Sequence, residues 1–394
     1  MLATSASKLL QYKLCRERHM VRYIHYFLMA GLSCLLAMAP GGVARAADYA
    51  IGADLSFLMF AEEHGTVFKE NGQAKPGLQI FRDHGYNWIR LRLFHTPSAH
   101  RDNMPNDLDY TTRLAIQAKK LGYKFLLCYH YSDSWADPGH QWAPQAWKGK
   151  SHSETVKLLQ EYTRETMSHL RKAGAMPDMV QIGNEITPGF VWPDGRLGDT
   201  GPDNNWPSFT DLIKAGIRGV EESLEGESRP RIMLHIDRGG DLPTTRHFFD
   251  KIREYGVKYD VIGQSYYPWW HGSLLDLKEN LDFMALEYGR EIILVEVAYH
   301  WKENGEYGDS PTPFPQTPEG QKEFLEAVNR LLLATPNGLG KGIFWWEPAV
   351  PLRPGISSRG IFDMEGNVLP VVRVFDKFTR GRAGRFIGPG GTTQ

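Results

Sequence analysis

The chain has 394 residues but only three cysteines. Cys15 and Cys34 fall in the first 46 residues, which leaves Cys128 alone in the rest. That excludes a disulfide framework and a cysteine-rich metal centre, so a large apolar core must hold the fold. Basic stripes are missing too. Residues 1–46 hold six Lys or Arg and one acid, so the remainder carries 39 basic and 45 acidic side chains, a net charge of −6. This balance argues against nucleic acid and against an anionic membrane surface as partners. Long apolar runs are scarce, and the one at Tyr26–Ala39 is short. It follows Lys8, Lys13, Arg16, Arg18 and Arg22 and precedes Ala44-Arg45-Ala46. A basic stretch, a short apolar stretch and a small-residue ending read as a secretory signal peptide over 1–46, with Met20 an alternative start. The run is too short to span a bilayer comfortably, which weighs against a membrane anchor. The expectation is a secreted or periplasmic monomer, with one folded domain over 47–382 and a flexible glycine-rich tail over 383–394.

Beyond the leader, short apolar runs recur. They are Ala50–Phe57, Tyr86–Phe94, Tyr123–His130, Asp178–Glu185, Pro230–Asp237, Tyr259–Tyr266, Glu291–Val297 and Lys341–Trp346. Most are rich in Val, Ile, Leu and aromatics without strict alternation, as strands buried on both faces are. Segments with helical spacing separate them, among them Tyr110–Leu121, Ser153–Ala173, Phe209–Leu224, Thr244–Tyr255 and Gly320–Leu333. Gly85, Gly122 and Gly256 stand just before the next strand, where a left-handed residue ends a helix. Strand–helix alternation predicts a parallel sheet in an α/β fold. Eight units fit a single-domain (β/α)8 TIM barrel with enlarged loops at the C-terminal face of the strands. The alternative, an open doubly wound sheet, usually opens with a glycine-rich phosphate turn, and Asp54-Leu55-Ser56-Phe57 is not one.

In a barrel, chemistry gathers at the C-terminal strand ends. Those ends carry Asp54 and Ser56, Arg90 and Arg92, His130 and Asp133, Asn184 and Glu185, His235 and Asp237, Tyr266 and Tyr267, Glu296 and Tyr299, and Trp345, Trp346 and Glu347. Ten of the eleven tryptophans fall on or just after such ends, Trp88 being the exception. Indole rings gathered on one face suit stacking against the apolar face of sugar rings. Arg90 and Arg92 share one parity on the second strand and should point inward together, with Ile89, Leu91 and Leu93 facing the helices.

Two glutamates occupy matching positions: Glu185 ends the fourth strand and Glu296 the seventh, on opposite walls of the barrel mouth. Glycoside hydrolysis needs such a pair, one to protonate the leaving oxygen and one to attack or to activate water. "QIGNE" and "LVEVAY" resemble clan A of the glycoside hydrolases. "GADLSF", "WIRLRLF", "YHYSDSWADPGHQ", "QIGNEITPG", "WPDG", "SYYPWWHG" and "FWWEPA" together resemble glycoside hydrolase family 53, the arabinogalactan endo-β-1,4-galactanases, over nearly the whole chain after the leader.

That resemblance implies a retaining enzyme acting on β-1,4-galactan, with Glu185 as general acid/base and Glu296 as nucleophile. Of the two inward arginines, one near the barrel top is placed to hold a carboxylate, Arg92 is expected among the substrate-binding residues, and Tyr266 or Tyr267 could donate to Glu296. Asn184 would bond the sugar 2-hydroxyl and His130 would line the same subsite. Trp345 or Trp346 would floor it, and Asp133, Trp135 and Trp192 would bind neighbouring sugars. No cofactor is expected. Some bacterial members carry a calcium site of the pattern D-x-D-x-H-x-N near the seventh loop. That pattern is absent from His300–Gln316, so no metal is expected there. Another clan A endo-glycanase acting on mannan or glucan, and a barrel that binds carbohydrate without cleaving it, are the alternatives.

Overall fold

The computed structural model describes residues 49–97, 105–198, 205–308 and 310–376. The signal peptide read over 1–46 and the tail read over 383–394 lie outside these residues. Eight strands form a closed parallel barrel: β1 (Ala50–Asp54), β2 (Trp88–Leu93), β3 (Lys124–Tyr129), β4 (Met179–Gln181), β5 (Arg231–Ile236), β6 (Val261–Tyr266), β7 (Glu291–Val297) and β8 (Gly340–Trp345). Each pairs with its neighbours in chain order, and β8 closes on β1 through Ala50–Gly342 to Ala53–Trp345. The expected (β/α)8 barrel is therefore the fold.

Among the described residues, and apart from a short helix at Leu58–Glu63 just after β1, the outer layer is made of α1 (Gly77–Asp83), α2 (Leu108–Lys120), α3 (His152–Lys172), α4 (Trp206–Glu222), α5 (Leu242–Glu254), α6 (Leu274–Tyr288) and α7 (Pro318–Leu333), with a 3-10 turn at Pro370–Phe375. Their starts follow from the sequence. Ser151 and Ser273 form capping boxes with Glu154 and Asp276, which satisfy backbone N–H groups the first turn leaves free. Gly85, Gly122 and Gly256 have φ of 88°, 79° and 67°, the left-handed conformation expected after a helix. Two helices escape the spacing argument. α1 is short. α6 breaks the single apolar stripe, with Leu275 and Leu286 facing solvent. Among the described residues no helix is long and apolar enough to cross a membrane.

Two apolar layers result. One lies between strands and helices and takes Ile89, Leu91 and Leu93 from β2. The other plugs the barrel interior with Ala50, Trp88, Leu126, Met179, Met233, Val261, Ile293, Val295 and Phe344. Trp88, Arg90 and Arg92 rise inward along one face of β2, so the interior changes from apolar to ionic within two residues. The plug is tightly filled: a Cβ on Gly52 would lie 2.2 Å from the Phe344 ring. Gly52→Ala should therefore cost roughly 1–3 kcal/mol through overpacking. Denaturant unfolding should show a lower midpoint for Gly52→Ala and partial recovery when Phe344→Leu is added. No recovery would place the strain elsewhere.

Candidate active site

The barrel mouth opens into a cleft of about 980 Å³. Glu185 and Glu296 enter it from different directions and by different backbone devices. Strand four is shorter than the sequence pattern suggests, because pairing stops at Gln181. Gly183 (φ 76°) and Glu185 (φ 48°) are left-handed, so Glu185 projects from a turn just past the strand, not from the strand itself. A Cβ at Gly183 would meet Ile186 Cγ2 at 2.5 Å, so the turn requires glycine there. The Gln141 side chain donates to the carbonyls of Asn184 (2.6 Å) and Glu185 (3.2 Å), and Ile186 N–H donates to the His235 carbonyl (3.0 Å). The left-handed turn is thus fixed from two sides. A left-handed non-glycine residue held this way is a feature of functional sites.

Glu296 is aimed by a bulge. Along β7, Ile292 and Leu294 pack toward the helices while Ile293 and Val295 face the barrel interior. Simple alternation would then turn Glu296 outward. The register with β6 slips here, with Gln264 opposite Leu294 but Ser265 opposite Glu296. One extra residue in β7 rotates Glu296 into the cleft, as β-bulges do beside active sites.

Under the two carboxylates lies an ionic layer. Arg90 is fully buried and pairs with Asp54 (2.9 Å) and Glu296 (2.7 Å). It also donates to Asn184 Oδ1 (2.6 Å) and reaches Gln181 Oε1 (3.3 Å). Tyr267 donates to Glu296 Oε2 (2.8 Å). Ser265 Oγ donates to Glu185 Oε1 (2.6 Å) and contacts His235 Nε2 (2.9 Å). A carboxylate oxygen of Glu185, one of Glu296 and a ring nitrogen of His235 lie within 4.8 Å of one another. That is metal-ligand spacing, but hydrogen bonds engage both ring nitrogens of His235, with Ser265 at Nε2 and Asn184 (3.1 Å) at Nδ1.

The electrostatics of the pair are asymmetric. Burial, then the negative charge of Glu296, then Asp237, push the Glu185 carboxyl well above its usual range. Burial raises Glu296 as well, but the adjacent Arg90 charge and the Tyr267 hydroxyl pull it back. Asp237 is pushed up to about 6 by burial, against the pull of Arg238. His130 is kept neutral by burial and by the nearby arginines. Its Nδ1 accepts from Ala136 N–H (2.9 Å), so Nε2 carries the proton. Among the described residues that nitrogen has no hydrogen-bond partner, and the residue lines the cleft.

Of the residues expected from the sequence to act on or bind the sugar, Arg92, His130, Trp135, Asn184, Glu185, Tyr267, Glu296 and Trp346 line this cleft. Four do not, and the buried Trp192 is one of them. Tyr266 faces the helices, donates to the Gly272 carbonyl (3.0 Å) and stacks near Phe324, so Tyr267 alone serves Glu296. Trp345 is also on the outward parity and donates to the Arg359 carbonyl (2.7 Å), which leaves Trp346, just past β8, as the cleft indole there. Asp133 organises its own loop, accepting from Thr96 N–H (3.0 Å) and Gln145 N–H (2.8 Å). Arg92 meets Asp54 (3.3 Å) and Glu347 (2.5 Å), and its planar faces lie 4.5 Å from the rings of Phe57 and Trp135. It is therefore Arg90 that holds a glutamate of the pair.

The gathering of tryptophans is only partly a cleft feature. Trp135, Trp270 and Trp346 line it, whereas Trp147, Trp192 and Trp206 are buried in loops and helices. Residues that the sequence left unassigned also belong to the site: Gln141, Ser265, Asp237, Arg238, His271 and Arg359. Ser265 was legible in principle, since it follows Val261 and Gly263 on the inward parity of β6.

A parallel eight-stranded barrel that brings two buried glutamates, from the ends of its fourth and seventh strands, to one aromatic-lined cleft has the arrangement of a glycoside hydrolase. Residues 50–375 match the profile of Glycosyl hydrolase family 53, and the chain belongs to that family. It is similar to a probable arabinogalactan endo-beta-1,4-galactanase A of Aspergillus terreus (34% identity over 78% of this chain and 87% of that one). It is also similar to an arabinogalactan endo-beta-1,4-galactanase of Cellvibrio japonicus (32% identity over 82% of this chain and 86% of that one). Among solved structures, the Ignisphaera aggregans family 53 catalytic domain superposes with a TM-score of 0.75 at 30% identity, covering 84% of this chain and 97% of that one.

Arg90→Met should expose how much the ionic layer depends on one cation. It leaves Glu296 buried without its cation, while Asp54 keeps Arg92, and breaking that pair should cost about 3–5 kcal/mol. Burial already raises the Glu296 carboxyl, and losing the Arg90 charge that pulls it back would raise it further above its unfolded value, so the cost should grow as pH rises through the carboxylate range. Unfolding midpoints of Arg90→Met should fall more at pH 7 than at pH 4. An equal drop at both would mean that packing, not charge, is lost.

Proposed function

We propose that the protein is a retaining endo-β-1,4-galactanase that cleaves galactan, the side chain of type I arabinogalactan in pectin, by double displacement. The observation that carries this reading is the close approach of the two carboxylates, with oxygens within 4.8 Å of each other. That suits a nucleophile and an acid/base, which stand closer together than an inverting pair with a water between them. The galactan substrate rests on the galactanase relatives and on the motifs shared across the chain.

In this reading Glu296 attacks the anomeric carbon while Glu185 protonates the departing glycosidic oxygen. A covalent galactosyl-enzyme forms at Glu296. Glu185, now ionised, then takes a proton from water as that water attacks the same carbon and releases Glu296. Each carboxyl has the surroundings its task needs. Glu185 is held protonated by burial and by Glu296, and it regains acidity once Glu296 is esterified and neutral. Glu296 has a cation and a phenol to hold its negative charge.

Asn184 commits Oδ1 to Arg90 and one amide hydrogen to the Ala136 carbonyl (2.8 Å), so its second amide hydrogen is the group left for a sugar hydroxyl. His130 Nε2–H is a further donor for the same ring. Trp346 supplies the stacking face. Export through the leader fits a polymer that cannot enter the cell.

Product analysis on linear β-1,4-galactan is the direct test. Short galacto-oligosaccharides should appear, with little release from β-mannan or cellulose. Inactivity on galactan sinks the substrate assignment, and binding without release would leave a carbohydrate-binding barrel. Glu296→Ala should abolish hydrolysis and be rescued by azide as the α-galactosyl azide. The β-azide would instead mark it as the acid/base. Glu185→Ala should lose roughly 10²–10⁴-fold on the polymer and far less on an activated aryl galactoside. Equal losses on both would remove the acid role.

Asp237→Asn deletes one of the negative charges that raise Glu185. The basic limb of kcat/KM should move to lower pH, since Glu185 would lose its proton more readily. An unmoved limb would show that Asp237 does not act on it.

A further inference from the structure

Arg359 is a buried cation that the mechanism above does not use. It closes the turn Ser357–Arg359 that follows β8, and it lines the cleft. Its guanidinium carbon lies 5.5 Å from the ring centroids of Tyr267 and Trp346, and 5.1 Å from those of Trp269 and Trp270. Its carboxylate partner is Glu306, in the turn Gly305–Tyr307 of the loop after β7. Glu306 also meets His300 Nε2 (2.9 Å), and His300 Nδ1 meets Ser358 Oγ (2.9 Å). Trp301 N–H donates to the Ser358 carbonyl (2.9 Å), and Asn304 Nδ2 donates to Ser358 Oγ (3.1 Å). The β7 and β8 loops are thus tied together here.

A tie alone would not call for a buried charge. Arginine is costly to remove from water, and an apolar side chain could fill the same space. What the charge adds is a cation against four aromatic faces, one of which is the ring of the tyrosine that donates to Glu296. A cation beside a phenol makes its O–H a stronger donor, and a planar guanidinium fixes the tilt of the rings around it.

Building on the galactanase reading, we propose that Arg359, anchored by Glu306, is a positioning residue. It orients Tyr267 and Trp346 and, through Tyr267, strengthens the hydrogen bond on the nucleophile. Arg359 does not touch the reacting atoms; it acts through Tyr267, which bonds the nucleophile, and Trp346, which lines the cleft.

The test compares wild type, Arg359→Met and Arg359→Lys. Each is assayed across pH on the β-1,4-glycan or aryl glycoside that the wild type cleaves fastest. Wild-type failure on galactan then counts against the substrate assignment alone. Arg359→Met should lower kcat about 10-fold or more, the scale of a weakened charge-assisted hydrogen bond in the transition state. Its acid limb of kcat/KM should move to higher pH, because Glu296 would be harder to ionise. Arg359→Lys keeps the charge but not the plane. It should hold the acid limb near the wild-type position while raising KM on the polymer.

A merely structural role would lower the yield or the melting temperature of Arg359→Met and leave kcat and the acid limb of the folded enzyme unchanged. That result overturns the proposal. Should Arg359→Met fail to fold, Arg359→Lys decides: a wild-type KM together with a wild-type pH profile overturns it too.

Discussion

One guanidinium organises the centre of this molecule. Arg90 stands fully buried where the apolar plug of the barrel ends, bridging Asp54 and Glu296 and holding Asn184 through its amide oxygen. A cation in such a place is tolerable only when its donors are satisfied, and here strands β1 and β7 and the turn after β4 each supply an acceptor. The same bonds orient the residues that face the cleft. Fold and site therefore share a keystone: the barrel cannot relax around Arg90 without moving Glu296 and the peptide that carries Glu185.

The two glutamates reach the cleft by breaking the regular pattern of their strands. Glu185 sits in a left-handed turn after β4, and Glu296 sits at a bulge in β7. Both breaks are fixed by neighbours, Gln141 and His235 for the first and the β6 register for the second. Rigid strands end just short of the chemistry, and the last residue or two is aimed individually. That explains how carboxyls from opposite walls converge to within a few ångströms.

Much of this was legible in the sequence because burial patterns are local. Apolar runs, helix caps and left-handed glycines gave eight strand–helix units, and strand-end chemistry gave the two glutamates, Asn184, His130 and Trp346. Parity also placed Trp88, Arg90 and Arg92 on one inward face. Three residues sit away from the cleft although their place at strand ends suggests it. Tyr266 and Trp345 lie on the outward parity of their strands, next to partners that face in. Asp133 carries the composition of a sugar ligand but serves loop hydrogen bonds that no pattern announces. The shortness of β4 and the bulge in β7 depend on pairing with distant strands, which a linear reading does not contain. Gln141 and Arg359 escape for the same reason, since each acts on a residue far away in the chain.

The apolar plug has a further consequence for the order of events. Trp88, Phe344 and their neighbours seal the barrel from below, so every molecule that reaches the glutamates must use the mouth. In the double-displacement reading, water can approach the galactosyl-enzyme only through space that the departing chain has vacated. Whatever fills that space first intercepts the intermediate. A sealed floor thus makes the lifetime of the leaving sugar in the cleft a determinant of whether water or another sugar hydroxyl accepts the galactosyl group.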